Sequence, residues 1–287
     1  MPPMFMLKAA FFICAFVCVA LFCKKETDGF RIDKILSNLS FHPEWEIKEE
    51  SEEIKEILKQ PFRYLGKGAQ SFVFAADDGK TVIKFFRYDH MGESPLLKML
   101  PFERAKARAA KLETKLKQDF MSYKLAYDHL KEETGLLYLH LNKTKHLDQT
   151  IELVDKLGIS HKLSLDDLEF VVQKRASLIR PSIEGLMENG QEMEAKELIS
   201  KVVKLLVTRC ERGLFDKDPD LFTNFGVIKG CPIQIDPGRF KKDASESDPE
   251  KYKEEIIRIT DKLHVWLEEK YPVLDKELQK EIHEISR

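Results

Sequence analysis

Apolar residues are distributed along the chain in three ways, and each predicts a different element. The first is a block: Ala9 to Cys23 is a run of uncharged, apolar residues between Lys8 and Lys24-Lys25. With Met4–Leu7 it reaches about 20 positions, enough for a bilayer-length helix in which one lysine can snorkel. The second is a pair of short runs separated by turn residues. Phe62–Ala76 is rich in Phe, Val and Tyr around two glycines, and Thr81–Tyr88 follows Asp77-Asp78-Gly79-Lys80. This pattern predicts antiparallel hairpin strands. The third is helical spacing. Phe102, Ala105, Ala109, Leu112, Leu116, Phe120, Tyr123, Tyr127 and Leu130 recur every three or four residues, predicting one long helix, opened by Pro101, with a single buried stripe.

The same reading covers the rest. Residues 26–60 are acidic and weakly periodic, which suits a linker and a short helix ending near Gln60-Pro61. Thr150–Lys156 and Glu169–Lys174 form a second β stretch, and Glu192–Cys210 is an amphipathic helix. A loop is expected over Glu211–Asn224, then a hairpin of Phe225–Ile228 and Cys231–Ile235 around Lys229-Gly230, then a charged helical tail over Asp248–Arg287. No internal repeat interrupts this order. It predicts an α+β body, sheet-rich first and helical second.

Composition narrows the class. A chain of 287 residues with 43% hydrophobic and 33% charged side chains is a folded one, which excludes disordered, collagen-like and disulfide-framework classes. With 47 basic against 49 acidic groups a strongly basic nucleic-acid binder is excluded, so no nucleic-acid partner is expected. Residues 1–25 hold Lys8, Lys24 and Lys25 and no acid, so the head is basic and the body mildly acidic. Three of the five cysteines, Cys14, Cys18 and Cys23, lie in the head, leaving Cys210 and Cys231; the body is held by a core, not by disulfides.

The head reads as a retained single-pass anchor or as a signal peptide cleaved after Cys18-Val19-Ala20, which would export the body. Lys24-Lys25 favour an anchor with a cytoplasmic body, whereas Lys8 and the chain's amine pull the other way. The expected division is 1–25 signal or anchor, 26–60 acidic linker and short helix, and 61–287 the body, with lobes 61–175 and 176–287.

Several residues then suggest chemistry. Leu65-Gly66-Lys67-Gly68-Ala69-Gln70-Ser71-Phe72-Val73 matches G-x-G-x-x-G-x-V at Gly66, Gly68 and Val73, with Ser71 in place of the third glycine. Glycines let backbone N–H groups approach phosphate oxygens. In Val82-Ile83-Lys84 a lysine ends an apolar strand, where it could reach those phosphates. Glu103 and Glu113 are the acids that could hold it; on a helical wheel Glu113 lies about 60° from the stripe centre and Glu103 about 140°, so Glu113 is chosen. Phe215-Asp216-Lys217-Asp218-Pro219-Asp220-Leu221-Phe222-Thr223-Asn224, followed after the hairpin by Asp236-Pro237-Gly238, offers carboxylates and an amide of the kind that orient a hydroxyl and hold Mg²⁺.

In this order the set resembles the protein-kinase-like superfamily, including its compact atypical and small-molecule members, over roughly residues 60–240. The resemblance implies a bilobal fold: a small antiparallel β lobe with a long helix, and a reduced helical C-lobe. It implies ATP and Mg²⁺ as cofactors. Gly66, Gly68, Ser71 and Val73 would cover the phosphates, Lys84 would bind them, and Glu113 would pair with Lys84. Asn224 and Asp236 would bind the metal, and adenine would meet a hinge near Gln173–Ala176. The catalytic base would be Asp218 or Asp220, because the family's position five before the Asn is Pro219 here. No Ala-Pro-Glu segment follows, and only 51 residues remain after Asp236 (287 − 236), so a full substrate lobe is not expected. The implied activity is phosphate transfer to a protein or small-molecule hydroxyl. A pseudokinase retaining a membrane-anchored binding or scaffold role, and an exported protein without ATP, are the alternatives.

Overall fold

The computed structural model describes residues 3–47, 51–91, 102–217, 219–243 and 248–285, with the side chains of 3–7, 9, 90, 91, 105, 249 and 250 outside the description. Pro101 and Asp218 lie outside the described residues. The chain forms two compact units, one from Met1–Glu113 and His140–Val171 and the other from Thr114–Leu139 and Val172–Arg287. Both mix helix and strand.

The first unit opens with α1 (Pro3–Glu26). Phe11, Phe12 and Ile13 are exposed in succession, as are Phe16, Val19, Leu21 and Phe22. Successive residues lie 100° apart, so α1 is apolar around its whole circumference. Among the described residues no helix is long and apolar enough to cross a membrane. The turn after α1 is a bonded joint. Thr27 N–H and Oγ1 donate to the Cys23 carbonyl, and Asp28 and Gly29 both take left-handed backbone angles (φ 51° and 75°). Lys67 Nζ donates to Asp28 O at 2.8 Å, and Lys156 lies 3.2 Å from the Asp28 carboxylate. Phe30 then packs edge-on against Phe72 and Phe74. Ile35 and Trp45 are buried as well, so residues expected to form a linker contribute to a core. Burying each such side chain contributes roughly 1.5–3 kcal/mol.

A short helix α2 (Glu52–Leu58), N-capped by Ser51 Oγ, leads into three strands: β1 (Phe62–Lys67), β2 (Ser71–Ala76) and β3 (Thr81–Phe86). Gly68 lies in the β1–β2 turn and Asp77–Lys80 form the β2–β3 turn, so the expected hairpin is a three-stranded meander. A turn of helix, α3 (Tyr88–Met91), follows. The unit's sheet is completed by β5 (Thr150–Val154), parallel to β1, and β6 (Ser160–Ser164), giving the order β3-β2-β1-β5-β6.

The boundary between units runs through α4 (Glu103–His129), and through β4 (Leu136–His140) and β7 (Phe170–Lys174). Between α4 and β4 sits a four-residue helix α5 (Lys131–Thr134). On α4 the expected stripe holds at Ala109, Leu116, Phe120, Tyr123 and Tyr127, and just past its end at Leu130, all of which are buried. Leu112 is half-buried, the side chain of Ala105 lies outside the description, and Phe102 precedes the helix and is 66% exposed.

The second unit contains β8 (Ser177–Leu178), α6 (Ile179–Glu188), α7 (Glu192–Glu211), β9 (Leu214–Asp216), β10 (Phe225–Ile228), β11 (Cys231–Gln234), β12 (Phe240–Lys242), α8 (Pro249–Lys270) and α9 (Pro272–Glu284). Apolar faces of α6 to α9 form one core, including Ile183, Leu198, Val202, Leu206, Ile256, Leu263 and Leu278. The charged tail is two helices because Pro272, at the start of α9, has no N–H to continue α8. Strands β11-β10-β8 form one small sheet and β12-β9 a two-stranded ribbon.

Candidate functional site

In the first unit the β1-β2-β3 register lines up three of the expected residues. Gly66 stands opposite Val73, and Val73 opposite Lys84. Residues directly opposite across antiparallel strands share a face, so Gly66, Val73 and Lys84 form one row. A β-bulge between Tyr64 and Gly66 sets that register. Neither Gly66 nor Gly68 has a left-handed backbone; their value is space. A Cβ on Gly66 would meet nothing within 4 Å, and one on Gly68 only Ser71. The turn closes through Gly68 N–H to Ser71 O at 2.8 Å.

Lys84 is 9% exposed in a strand buried along its length. A lysine ammonium is seldom buried without charge or hydrogen-bond compensation, so this is not an ordinary exposed strand lysine. Glu113 is half-buried, while Glu103 is exposed and paired with Lys106 at 3.1 Å.

In the second unit Asn224 and Asp236 are brought together by backbone. The hairpin register pairs Phe225 with Gln234, and just outside it Ile235 N–H and Asp236 N–H both donate to the Asn224 carbonyl, at 2.7 and 3.2 Å. Hairpin closure therefore brings the two residues side by side at its mouth. Lys229 and Gly230 both have positive φ (49° and 75°), as a tight two-residue hairpin turn requires. An amide and a carboxylate supply hard oxygen ligands suited to Mg²⁺, which ordinarily keeps waters and takes phosphate oxygens as well. Among the described residues no cluster of three His, Cys, Asp or Glu side chains could hold a metal by itself.

Asp220 is engaged. Its Oδ1 accepts from Phe222 N–H at 2.9 Å, and Lys262 Nζ lies 2.6 Å from its Oδ2. Burial raises its pKa, but the Lys262 ammonium and the backbone N–H groups outweigh that and hold it below the ordinary carboxylate value. Its carbonyl accepts from Asn224 N–H at 2.8 Å, so Asp220 also shapes the turn that delivers Asn224.

Two residues of α4, Ser122 and Asp119, are not singled out by the sequence pattern, and a third, Tyr123, is there only a member of the buried stripe. Ser122 Oγ donates to Pro237 O and accepts from Phe240 N–H at 2.6 Å, bracketing the Asp236-Pro237-Gly238 segment. The Tyr123 phenol is pushed well above its ordinary pKa by burial, and further by the carboxylates of Asp236 and Asp119. Asp119 itself is 2% exposed. The available signal was a polar residue one position from each stripe aromatic: Asp119 before Phe120, Ser122 before Tyr123.

Gln173, in the expected hinge, is buried and donates from Nε2 to Thr134 O at 2.6 Å. Its Oε1 has no hydrogen-bond partner among the described residues.

No protein-family model and no curated protein matches the chain. Solved structures do. The co-crystal structure of WbdD with the kinase inhibitor LY294002 aligns with 75% of this chain and 44% of its own, at 14% identity and a TM-score of 0.38. The bifunctional kinase-methyltransferase WbdD aligns over 74% and 42%, at 13% identity and a TM-score of 0.36. Rv3197 from Mycobacterium tuberculosis, in complex with erythromycin, aligns over 79% and 56%, at 15% identity and a TM-score of 0.37. The chain thus spans about half the length of these solved chains. All three likenesses are distant.

Proposed function

We propose that the chain is a kinase-like protein that binds ATP with Mg²⁺ and transfers the γ-phosphate to a hydroxyl acceptor. The observation that carries this reading is the row Gly66–Val73–Lys84, in which a buried lysine shares a sheet face with a glycine whose side-chain space is open. Gly66, Gly68 and Ser71 would let the β1–β2 turn lie against phosphate oxygens, and Lys84 would neutralise part of their charge. Glu113 would orient Lys84. Asn224 and Asp236 would hold the metal, with Ser122 fixing the Asp236 segment. The ion, when bound, would screen the phosphates and so lower the cost of approach by the acceptor oxygen. Asp218 or Asp220 would accept the hydroxyl proton.

A pseudokinase is the second reading, and a specific observation favours it. The residue five before Asn224 is Pro219, and the Asp220 carboxylate is occupied by Lys262 and a backbone N–H. On that reading nucleotide binds without transfer.

We further propose that α1 associates the chain with a bilayer, since its exposed apolar side chains leave no polar face to meet water, although its described residues fall short of a full span. Protease access with tags at each end assigns the side of the body. A body outside the cell would exclude ATP-dependent transfer.

The deciding experiment is the thermal shift of the detergent-solubilised chain on adding ATP, with and without Mg²⁺. A Mg²⁺-dependent rise that disappears in Lys84→Ala and in Asp236→Ala is expected; an equal rise in both variants rejects the site. Asp218→Asn against Asp220→Asn in a phosphotransfer assay then identifies the base, and wild-type protein that binds but never transfers selects the pseudokinase.

A further inference from the structure

Within the second unit, α6, α7 and the tip of the β10–β11 hairpin enclose a cavity of about 410 Å³. Ligand pockets span roughly 300–1,000 Å³, so this one is large enough to hold a ligand. Each element gives it one aliphatic side chain. Leu198 of α7 is buried, and Leu186 of α6 and Val227 of β10 are half-buried. Around them the lining is polar, and Glu194, Glu197, Lys229 and Gly230 are exposed. The cavity is therefore open to water along its rim.

The charges on that rim are ordered. Glu194, Glu197, Leu198 and Lys201 follow i, i+3, i+4, i+7 spacing, which makes them one stripe along α7. Glu197 and Lys201 pair at 2.8 Å, and Lys201 Nζ also donates to Gly230 O at 3.2 Å. The middle charges thus match each other, and Lys201 holds the hairpin tip at its own end of the stripe. The outer charges are not matched in this way. Glu194 takes only a long contact from Gln191 Nε2, at 3.4 Å. Lys229 has no ion-pair or hydrogen-bond partner among the described residues. It also takes a left-handed φ of 49°, at a turn position where Asn or Gly is the usual choice, so turn geometry does not call for a lysine. Seven residues of helix separate Glu194 from Lys201, about 10 Å. An unmatched acid and an unmatched base therefore stand at least that far apart, with aliphatic side chains between them.

This arrangement selects its occupant. Small-molecule pockets bury roughly 70–90% of their ligand, whereas an open rim leaves one side of the occupant in water. An apolar centre within a polar rim is the anatomy of a protein interface. In an extended chain alternate residues share a face, and four steps of about 3.3 Å cover about 13 Å. A basic, an aliphatic and an acidic residue at alternate positions match the cavity in order, and the long lysine and arginine side chains take up the difference in span.

We propose that this cavity is a docking site for an extended segment of a partner protein. The segment carries a basic side chain for Glu194, an aliphatic one for Leu186, Leu198 and Val227, and an acidic one for Lys229. Asn224 and Asp236 stand at the other end of the same hairpin, its mouth. Docking therefore uses none of the transfer-site residues and does not rest on the phosphotransfer reading.

The test measures fluorescence anisotropy of end-blocked peptides, carrying a neutral fluorophore, with the full chain in non-ionic detergent at low salt and without nucleotide. Arg-Ser-Leu-Ser-Glu should bind tightest. Arg-Ser-Leu-Ser-Arg, Glu-Ser-Leu-Ser-Glu and Arg-Ser-Ser-Ser-Glu should each bind at least about threefold more weakly. In E194K the preferred peptide should become Glu-Ser-Leu-Ser-Glu, and in K229E it should become Arg-Ser-Leu-Ser-Arg. Both positions are exposed, so both variants should keep the wild-type thermal midpoint. No binding of any peptide, or the wild-type order of preference retained in both variants, overturns the proposal. Two other occupants are distinguishable. Displacement of the peptide by glycerophosphocholine at equal concentration would assign the cavity to a small zwitterion. A peptide-free dimer that dissociates in E194K would assign it to a second copy of the chain. Either result also overturns the proposal.

Discussion

Ser122 shows how much a single hydroxyl can fix. It donates to Pro237 O and accepts from Phe240 N–H, so two backbone groups on either side of Gly238 are satisfied by one buried side chain. Ser122→Ala leaves the two only their own long contact, Phe240 N–H to Pro237 O at 3.4 Å, at a cost of about 1–3 kcal/mol. Urea unfolding should show that loss, and Mg²⁺-dependent ATP response should weaken with it. Ser122→Thr, which keeps the hydroxyl, should restore the ATP response in part. Lys84, Asn224 and Asp236 could be singled out in the sequence because each is a polar residue in or beside a short apolar run, although Lys84 stands inside β3 and not at its end. Ser122 and Asp119 were not, because the buried arc of α4 is wider than its aromatic stripe. Taking Phe120 as the origin, Asp119 lies about 100° round the helix and Ser122 about 160°. Both are buried all the same.

A titrating residue offers a second check at this scale. His264 Nδ1 lies 2.6 Å from Asp275 Oδ1, and that hydrogen bond, helped by the carboxylate charge, raises the imidazole pKa above its ordinary 6.5. A folded-state pKa above the unfolded one contributes stability that is fully present below about pH 6.5 and is lost as pH rises through the raised value. The melting-temperature difference between wild type and Asp275→Asn should therefore be largest in mild acid and shrink toward alkaline pH. A pH-independent difference would show that the pair contributes through packing alone.

At the scale of elements, the β10–β11 hairpin was readable from two apolar runs around Lys229-Gly230, because a turn with two positive φ angles has a recognisable sequence. Its neighbour β8 was not. Two residues, Ser177 and Leu178, are too few to show alternation, and β9 and β12 are hardly longer. β8 exists because the longer β10 offers it an edge, while β9 and β12 pair only with each other. Gly226 makes the dependence visible: a Cβ there would come within 2.6 Å of Ala176 Cβ and 3.0 Å of Ser177 O. Gly226→Ala must push the β8 segment away from β10, and overpacking of this kind costs roughly 1–3 kcal/mol. Hydrogen exchange should report faster opening of Ser177 and Leu178 with α7 protected as before. Unchanged exchange there would mean that the segment yields without strain.

For the whole molecule, composition and pattern correctly indicated a mixed α+β chain held by cores. The two compact units are each discontinuous in sequence. The first takes residues 1–113 and 140–171, and the second takes 114–139 and 172–287. Local patterning has a short range and gives no sign that part of a helix belongs with residues a hundred positions away. The consequence is that residues 172–287 are an incomplete unit. They lack Ser122, the partner of Pro237 and Phe240, and they lack His129 and Glu133, which hold Arg212 by its guanidinium. Their own helices still share an apolar core, so collapse is expected but not unique packing. A fragment of 172–287 should retain helical far-ultraviolet dichroism, show a weak near-ultraviolet spectrum and melt without a sharp transition. Co-expression with residues 114–139 should restore a cooperative melt. If the fragment alone melts as sharply as the full chain, α4 contributes nothing to the packing of the second unit, and the role assigned to Ser122 falls with it.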